Sequence, residues 1–143
     1  MSSTKLKKIT TGLTASAFDL LHAGHIAMLK EAKQQCDYLI VGLQTDPSLD
    51  RTEKNAPIQS MVERYIQLSA ISLIDDNNPD STEKDLLDIL KVYPINVRVI
   101  GEEYKNKKFT GKQYCIDNGI DIYYNNRQHD FSTSGLRSRI NST

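Results

Sequence analysis

The feature that most constrains the fold is a continuous apolar run at residues 38–43, Tyr-Leu-Ile-Val-Gly-Leu. Such a run is typical of a strand that is buried on both faces of a parallel sheet. The Thr-rich residues 7–15 favour an earlier strand, and residues 23–35 between them carry apolar side chains at helical spacing. Strand, helix and strand within about 35 residues predict a βαβ unit, whose crossover is expected to be right-handed.

The rest of the chain continues this alternation of strands and helices. Further strands are predicted at residues 72–74, 97–100 and 120–124. Further helices are predicted at residues 58–68, 81–91, 110–118 and 132–140, with an acidic turn at 75–79. We therefore predict a single domain over residues 1–143, with flexible ends at 1–6 and 141–143. Its fold class is α/β, a Rossmann-like fold with a mainly parallel five-stranded sheet flanked by helices.

Length, charge and cysteine usage exclude several classes of protein. The 143 residues suffice for one core, and Lys+Arg and Asp+Glu balance at 18 each, so we expect neither nucleic acid nor an anionic membrane as partner. No apolar run approaches the roughly 18 residues of a membrane span, and the N-terminus lacks the apolar stretch of a signal peptide. Cys36 and Cys115 are far apart in sequence and are expected to be reduced thiols of a cytoplasmic protein.

Two of the three histidines, His22 and His25, flank Gly24 between the first predicted strand and the first predicted helix. The first N–H groups of a helix have no partner within it, which makes such a junction suited to an anion. Imidazoles beside it would suit a phosphate chain. One alternative is a pair of structural histidines that cap a turn. Another is a metal site of His22, His25 and His129, although the helical HExxH frame is missing.

Several polar loops follow the strands of the predicted sheet. Ligands of an open parallel sheet bind beyond the carboxyl ends of its strands, at the point where the strand order switches. The loops at residues 44–57, 102–109 and 125–131 follow strands, and the last leads into a helix that starts at Ser132. Together with the histidine junction they carry all three histidines and two helix N-termini. We therefore expect one ligand site at this edge of the sheet.

Two motifs link the chain to a known family. Residues 18–25, Phe-Asp-Leu-Leu-His-Ala-Gly-His, resemble the HxGH signature of the cytidylyltransferase-like nucleotidyltransferase superfamily. Residues 131–137, Phe-Ser-Thr-Ser-Gly-Leu-Arg, resemble its second signature, at the start of the last helix. The short length, the Glu63-Arg64 pair and an arginine five residues before Ser132 are most similar to the glycerol-3-phosphate cytidylyltransferase branch. The resemblance covers residues 8–140.

The resemblance implies a reaction and its cofactor. Such enzymes transfer CMP from CTP to a small phosphorylated polyol, such as glycerol 3-phosphate, and release pyrophosphate. The acceptor phosphate is already an anion, so catalysis consists of alignment and stabilisation of the charge on the α-phosphate. Mg²⁺ is the implied cofactor, bound mainly through the nucleotide and with no protein ligands. A homodimer is also implied, and its interface could be the helix at 58–68 with the aliphatic turn after it.

The resemblance also implies roles for individual residues. The implied catalytic residues, which grip the triphosphate and the transition state, are His22, His25, Lys54 and Arg127. The implied nucleotide-binding residues lie in or just before the first signature, in one helix and in the second signature: Ser16, Ala17, Phe18, Asp19, Gly24, Arg64, Ser132, Thr133 and Ser134. The implied acceptor-binding residues follow the strands: Asp46, Arg51, Asp75, Glu102 and Tyr104. The alternative for Arg51, Lys54 and Arg64 is an ordinary charge on the surface.

Some positions depart from the family pattern. Ser16 stands where the family usually has glycine, and Ser72 stands where the branch has an arginine near the nucleotide. Residues 127–132 and 101–104 also differ from the branch's Arg-Thr-Glu-Gly-Ile-Ser and Gly-Asp-Asp-Trp stretches. These departures affect which nucleotide base and which acceptor the resemblance implies more than they affect the type of reaction. One rival is adenylyl transfer from ATP to a sugar phosphate, as in heptose-phosphate adenylyltransferases, which share His-Ala-Gly-His. Another is a non-catalytic nucleotide-binding module on the same fold.

Overall fold

The structure is a computed structural model that describes residues 8–46, 56–80, 83–126 and 133–142. The strands, in chain order, are β1 (Thr11–Ser16), β2 (Tyr38–Gln44), β3 (Asp76–Asp80), β4 (Val97–Gly101) and β5 (Asp121–Asn125). The helices are α1 (Ala23–Gln34), α2 (Met61–Ser69), α3 (Glu83–Val92), α4 (Lys112–Asp117) and α5 (Thr133–Asn141). A single turn of 3-10 helix, Glu102–Tyr104, follows β4.

The five strands form one parallel sheet in the order β3-β2-β1-β4-β5. The predicted α/β fold with a five-stranded parallel sheet is therefore confirmed. The strand order switches at β1, because the chain first adds β2 and β3 on one side and then β4 and β5 on the other. Pairing of β1 with β2 continues to Ser16 and Leu43, whereas its pairing with β4 ends at Leu13 and Arg98. Strands β1 and β4 therefore part toward their carboxyl ends, which is where a ligand crevice is expected.

Apolar side chains fill both faces of the sheet. One cluster of buried residues comprises Phe18, Leu29, Ala32, Leu39, Val41, Leu43, Leu68 and Val99. The other comprises Leu13, Ile40, Leu86, Leu90, Ile95 and Cys115. Strand β2 contributes to both clusters, because successive side chains of a strand point to opposite faces. Its uninterrupted apolar sequence follows from this double burial, as predicted. Within the described residues, no helix is long and apolar enough to cross a membrane.

The third strand is not where the sequence predicted it. Residues 72–74 were expected to form a strand and residues 75–79 a turn, but the structure forms a turn first and then β3 from Asp76. Strand β3 lies at the sheet edge and pairs only with β2, from Ile40 with Asp76 onward. An edge strand has one unpaired side, so polar residues and Pro79 are tolerated there. Residues 76–80 form a strand because their backbone pairs with β2, and not because their side chains are hydrophobic.

The start of α2 differs from the prediction for a local reason. The predicted helix began at residue 58, whereas α2 begins at Met61. Ser60 caps it: the Ser60 Oγ accepts from the Glu63 N–H at 3.1 Å, and the Glu63 carboxylate accepts from the Ser60 N–H at 2.9 Å. This capping box starts the helix after residues 58 and 59, which form a bend. Their N–H groups are then available to another partner.

Candidate active site

The histidines lie at the point where the sheet opens. Strand β1 ends at Ser16, and the chain passes through residues 17–22 into α1. The turn Glu102–Tyr104 follows β4 at the same edge, and β5 ends there at Asn125. These segments share one edge because parallel strands have their carboxyl ends on the same side. The predicted convergence of these segments at one edge of the sheet is therefore confirmed, and the binding of a ligand there stays a prediction.

His22 and His25 cap α1 reciprocally with their imidazoles. His22 is the N-cap residue, and its Nδ1 accepts from the Gly24 N–H at 3.0 Å. The Nδ1 of His25 accepts in return from the His22 N–H at 3.2 Å. The two rings stack with their centroids 4.0 Å apart, and Phe18 lies against His25 at 5.4 Å. The alternative that these histidines cap a turn is thus correct as geometry, and their predicted role in binding phosphate stays a prediction.

The capping contacts determine which ring nitrogen carries the proton. A neutral imidazole has one N–H and one acceptor nitrogen, and the Nδ1 atoms of His22 and His25 both act as acceptors here. Each neutral ring therefore carries its proton on Nε2 and is a donor there. Both side chains are half-buried, so they are ordered without being sealed from solvent. Two fixed N–H donors at the start of a helix are suited to bind phosphate oxygens.

The turn before α1 has a strained backbone on either side of Asp19. Phe18 has φ of +50° and Leu20 has φ of +52°, although neither residue is glycine. A left-handed conformation of a non-glycine residue costs on the order of 1–3 kcal/mol. Burial of Phe18, which is 1% exposed, and a hydrogen bond from the Leu20 N–H to the Gln59 Oε1 at 2.7 Å offset this cost. The strain lies immediately before the two imidazoles.

Asp19 connects this turn to two other segments. Its Oδ2 accepts from the Ile58 N–H at 2.8 Å and its Oδ1 accepts from the Gln59 N–H at 2.9 Å. Arg137, on α5, donates from Nη2 to the same carboxylate at 2.8 Å. Burial alone would raise the pKa of Asp19, but these three donors outweigh it and lower the pKa below its ordinary value. The carboxylate is therefore ionised and fully engaged in binding the protein, as a residue that orients the turn.

Arg64 does not have the position that its predicted nucleotide contact requires. It is only 2% exposed, and its guanidinium donates to the carbonyl oxygens of Ala17 at 2.9 Å, Gln44 at 2.6 Å and Thr45 at 2.6 Å. Its Nε also donates to the carbonyl oxygens of residues 59 and 60. Burial lowers the pKa of its guanidinium below the ordinary value. Arg64 therefore joins the carboxyl ends of β1 and β2 to α2, and the alternative of an exposed helical cation is also wrong.

Ser16 and Ala17, just before the first signature, and Gly24 within it lie from the end of β1 to the first turn of α1, and their contact with a nucleotide stays a prediction. Ser16 is the last residue of β1 and is half-buried, and Ala17 follows it with its carbonyl held by Arg64. Gly24 is buried in the first turn of α1, and its N–H donates to His22. The backbone between β1 and α1 is thus held at both ends.

The second signature is described only in part. Thr133 and Ser134 are the first residues of α5, and their side chains lie outside the described part of the structure. The N–H groups of this first turn have no partner within the helix. Five other residues singled out from the sequence lie outside the described ranges: Arg51, Lys54, Arg127, His129 and Ser132.

The residues predicted to bind the acceptor separate into two groups. Asp46 lies just after β2, and Glu102 and Tyr104 lie just after β4, at the same edge of the sheet as the histidines. Asp75 lies at the opposite edge, because its carboxylate accepts from the Leu39 N–H at the start of β2 and from Lys33. A role for Asp75 in binding the acceptor is therefore wrong. Its pKa is lowered, since the contacts with Lys33 and Leu39 outweigh the effect of burial.

Three residues have positioning roles that the sequence did not predict, and one of them, Arg137, is the last residue of the second signature. Gln59 and Arg137 hold the turn at Asp19, as described above. Glu31 on α1 accepts from the Tyr123 hydroxyl at 2.8 Å and from the Asn126 N–H at 2.9 Å, which joins α1 to the end of β5. The spacing of Arg137, four residues after Thr133, was a usable signal, because it places both residues on one face of a helix. Gln59 and Glu31 have no comparable signal.

The two thiols are not reactive, and the described part of the chain has no cluster of side chains suited to a metal ion. Cys115 is buried and Cys36 is partly buried, and burial raises the pKa of both thiols above the ordinary value of 9.0. Both are therefore protonated and unreactive near neutral pH. Among the described residues, no three His, Cys, Asp or Glu side chains are arranged to hold a metal ion.

Comparison with curated proteins gives relatives of two kinds. The chain is 31% identical to glycerol-3-phosphate cytidylyltransferase of Bacillus spizizenii over 138 residues, which cover 96% of this chain and 99% of that protein. It is 30% identical to the bifunctional protein HldE of Caulobacter vibrioides over 145 residues, and 35% identical to that of Nitrosococcus oceani over 125 residues. These matches cover 96% and 87% of this chain but only 29% and 26% of the HldE proteins, so the chain spans less than a third of their length.

Solved structures share the fold. The lipopolysaccharide core biosynthesis protein of Thermoplasma volcanium superposes with a TM-score of 0.69 at 20% identity, covering 85% of this chain and 100% of that one. Pantoate-beta-alanine ligase of Francisella tularensis superposes with a TM-score of 0.57 at 20% identity, covering 98% of this chain and 67% of that one. The family model described as cytidylyltransferase-like matches residues 13–139, from the centre of β1 to the last helix. With both signatures inside this range, the chain belongs to the cytidylyltransferase-like family.

Proposed function

We propose that this protein transfers CMP from CTP to a small phosphorylated polyol such as glycerol 3-phosphate, with release of pyrophosphate. The observation that carries the proposal is the reciprocal imidazole cap of His22 and His25 at the switch point of the sheet. The acceptor class is supported by 31% identity, over nearly the whole of both chains, to a protein named glycerol-3-phosphate cytidylyltransferase.

The proposed reaction is a single displacement at phosphorus. An anionic oxygen of the acceptor phosphate attacks the α-phosphorus of the nucleotide, a new O–P bond forms, and the bond to the β-phosphate oxygen breaks. The nucleophile needs no deprotonation, so the protein has no general base to supply. His22 and His25 would donate from Nε2 to the oxygens on which negative charge grows, and their rings are already oriented by the capping contacts.

The second helix N-terminus would hold the other end of the triphosphate. The first N–H groups of α5, at Thr133 and Ser134, are suited to the β- and γ-phosphates. Lys54, Arg127 and Ser132 are proposed to add donors to the same phosphates. Asp46, Glu102 and Tyr104, at the carboxyl ends of β2 and β4, are proposed to face the acceptor.

We also propose that Mg²⁺ acts with the nucleotide. The Asp19 carboxylate, which lies in the signature turn, already accepts from Ile58, Gln59 and Arg137. A cation would therefore be held mainly by triphosphate oxygens and water, which suits the coordination that Mg²⁺ prefers. When bound, it would neutralise charge on the triphosphate.

A second candidate is adenylyl transfer from ATP to a sugar phosphate. It is favoured by the His-Ala-Gly-His form of the signature and by the similarity to HldE over 96% of the chain. Ser16 and Ser72 depart from the pattern of the glycerol-phosphate branch, so these positions do not specify cytosine over adenine as the base of the nucleotide.

One assay separates these candidates. The purified chain is incubated with Mg²⁺, each of the four nucleoside triphosphates in turn, and a panel of phosphorylated polyols and sugars, while pyrophosphate is measured. Release that requires CTP and a polyol phosphate supports the first proposal, and release with ATP alone refutes it. Replacing His22 by Ala should reduce turnover at least about 100-fold, whereas the control Lys84→Ala, on the exposed face of α3, should not.

The same variant tests whether the protein is an enzyme at all. If the wild type binds nucleotide, turns over no acceptor, and the His22→Ala variant behaves identically, the non-catalytic alternative is correct. Activity in the wild type that His22→Ala abolishes rules that alternative out.

A homodimer is a further part of the proposal. The outer face of α2 exposes Val62 at 65% and Ile66 at 63%, and Ile58, three residues before the helix, is exposed at 64%. Light scattering of the wild type and of a Val62→Glu, Ile66→Glu double variant tests this face. A wild type that is monomeric at micromolar concentration contradicts the proposed dimer.

A further inference from the structure

Arg137 links the last helix to the histidine turn. It lies one helical turn after Thr133 on α5, and its Nη2 donates to the Asp19 Oδ2 at 2.8 Å. The Asp19 side chain is 9% exposed and that of Arg137 is 25% exposed, so the carboxylate is nearly buried and the guanidinium is partly exposed. An ion pair of this kind joins two segments that are 118 positions apart in the sequence.

The carboxylate of Asp19 holds more than Arg137. It also accepts the N–H groups of Ile58 and Gln59 at the entry to α2. It lies between two left-handed residues, Phe18 and Leu20, in the turn that ends at His22. A change in the position of Asp19 would therefore be transmitted through a short, strained stretch of backbone to the imidazoles.

Two helix N-termini must grip one triphosphate chain in the proposed reaction. The first is that of α1, with His22 and His25, and the second is that of α5, beginning at Thr133. Their separation matters most in the transition state, because charge then grows on oxygens that both ends contact. An error of about 1 Å in the alignment of reacting groups can lower a rate by about 100-fold.

We propose that Arg137 is a positioning residue for nucleotidyl transfer, which through Asp19 holds the N-terminus of α5 in register with the imidazoles of His22 and His25. This inference rests on the proposed function. A nucleotide in the ground state can bind to one helix N-terminus, whereas the transition state needs both. Loss of Arg137 should therefore lower kcat more than it raises KM for the nucleotide.

The principal variant is Arg137→Met, with Arg139→Met as its matched control. Arg139 lies on the same helix and is exposed. We expect Arg137→Met to lower kcat roughly 10- to 100-fold, with KM for the nucleotide changed less than about threefold. Because a partly exposed ion pair stabilises a fold only weakly, Tm should stay within about 3 °C of the control. Arg137→Lys, which keeps the positive charge, should recover part of kcat.

A double-mutant cycle separates positioning from direct contact. If Arg137 acts through Asp19, then Arg137→Met should have little further effect on kcat in an Asp19→Asn background. Effects that multiply independently would mean that Arg137 touches the nucleotide itself, and would overturn the proposal. An Arg137→Met variant with the same kcat as Arg139→Met would overturn it as well, while leaving the proposed function intact.

A measurement without turnover distinguishes failure of this inference from failure of the proposed function. Hydrogen exchange of the Ile58 and Gln59 amides, whose N–H groups bind Asp19, is compared in Arg137→Met and Arg139→Met. If Arg137 holds the Asp19 carboxylate in place, its loss should let the hydrogen bonds from these two amides open more often. Exchange at least about tenfold faster in Arg137→Met than in Arg139→Met therefore supports the link. Equal exchange overturns the link even if the wild type transfers nucleotides. A wild type without any transfer activity refutes the proposed function, and exchange still decides the link.

Discussion

Replacement of the buried arginine of α2 gives the sharpest test of how this edge of the sheet is held together. Arg64→Met keeps the approximate length of the side chain and removes all of its hydrogen-bond donors. Three short contacts disappear, those to the carbonyl oxygens of Ala17 at 2.9 Å, Gln44 at 2.6 Å and Thr45 at 2.6 Å. These carbonyls lie at the last residue of β2 or one residue beyond β1 and β2, where strand pairing ends.

The magnitude follows from the three carbonyl oxygens that lose the Arg64 guanidinium as a donor. Each costs about 1–3 kcal/mol when it stays buried. The lower value applies here, because water can enter at the edge of the sheet once the guanidinium is gone. The free energy of unfolding should fall by about 3 kcal/mol. At about 3 °C per kcal/mol for a domain of this size, Tm should fall by about 9 °C.

Differential scanning calorimetry of Arg64→Met, Arg64→Lys and the control Arg139→Met tests this estimate. The lysine variant should lie between the wild type and the methionine variant, since one ammonium group reaches fewer carbonyls than a guanidinium. The control replaces an exposed arginine and should change Tm by less than about 2 °C. If Arg64→Met also stays within that margin but binds nucleotide more weakly, Arg64 contacts the ligand and the reasoning from burial is refuted.

Three further perturbations test the surrounding structure. Asp19→Asn should lower the urea midpoint at pH 7. The difference should shrink as the pH falls below 3.8, the ordinary pKa of the carboxyl group, because a lowered pKa stabilises the fold above that value and this stabilisation is lost on acidification. Gly12→Ala places a Cβ 2.8 Å from the Cys36 Sγ and should cost about 1–3 kcal/mol in thermal unfolding, part of which Cys36→Ala should restore. Glu31→Ala removes the partner of the Tyr123 hydroxyl and should lower stability by about 1–2 kcal/mol, whereas unchanged stability would refute that contact.

Most of the elements could be predicted because their signals are local. The apolar run of β2, the glycine that ends α4 with φ of +69° at Gly119, and the alternation of strands and helices are all visible over a few residues. The start of α2 was also visible, since Ser60 and Glu63 have the spacing of a capping box. Strand β3 had no such signal, because its polar residues are held by pairing with β2 and not by their own preference.

The candidate site was likewise predictable from the sequence only in part. The motif at residues 18–25 predicted the histidine junction and its edge of the sheet, and the structure places both histidines there as reciprocal caps. Arg64 and Asp75 were assigned to the ligand from their type and alignment, but one is buried against carbonyls and the other lies at the opposite edge. The charge of a residue is visible in a sequence, whereas its burial and its side of the sheet depend on distant parts of the chain.

The sequence by itself determined the α/β class, the βαβ unit and the family, because hydrophobic period and signature spacing are properties of neighbouring residues. The tertiary structure alone decided what the charged side chains do. Asp19 and Arg137 are 118 positions apart, and Arg64 is 47 positions from Ala17, so no local pattern encodes these contacts. They form only when β1, α2 and α5 meet at one edge of the sheet, where burial requires a partner for every charge and for every carbonyl oxygen.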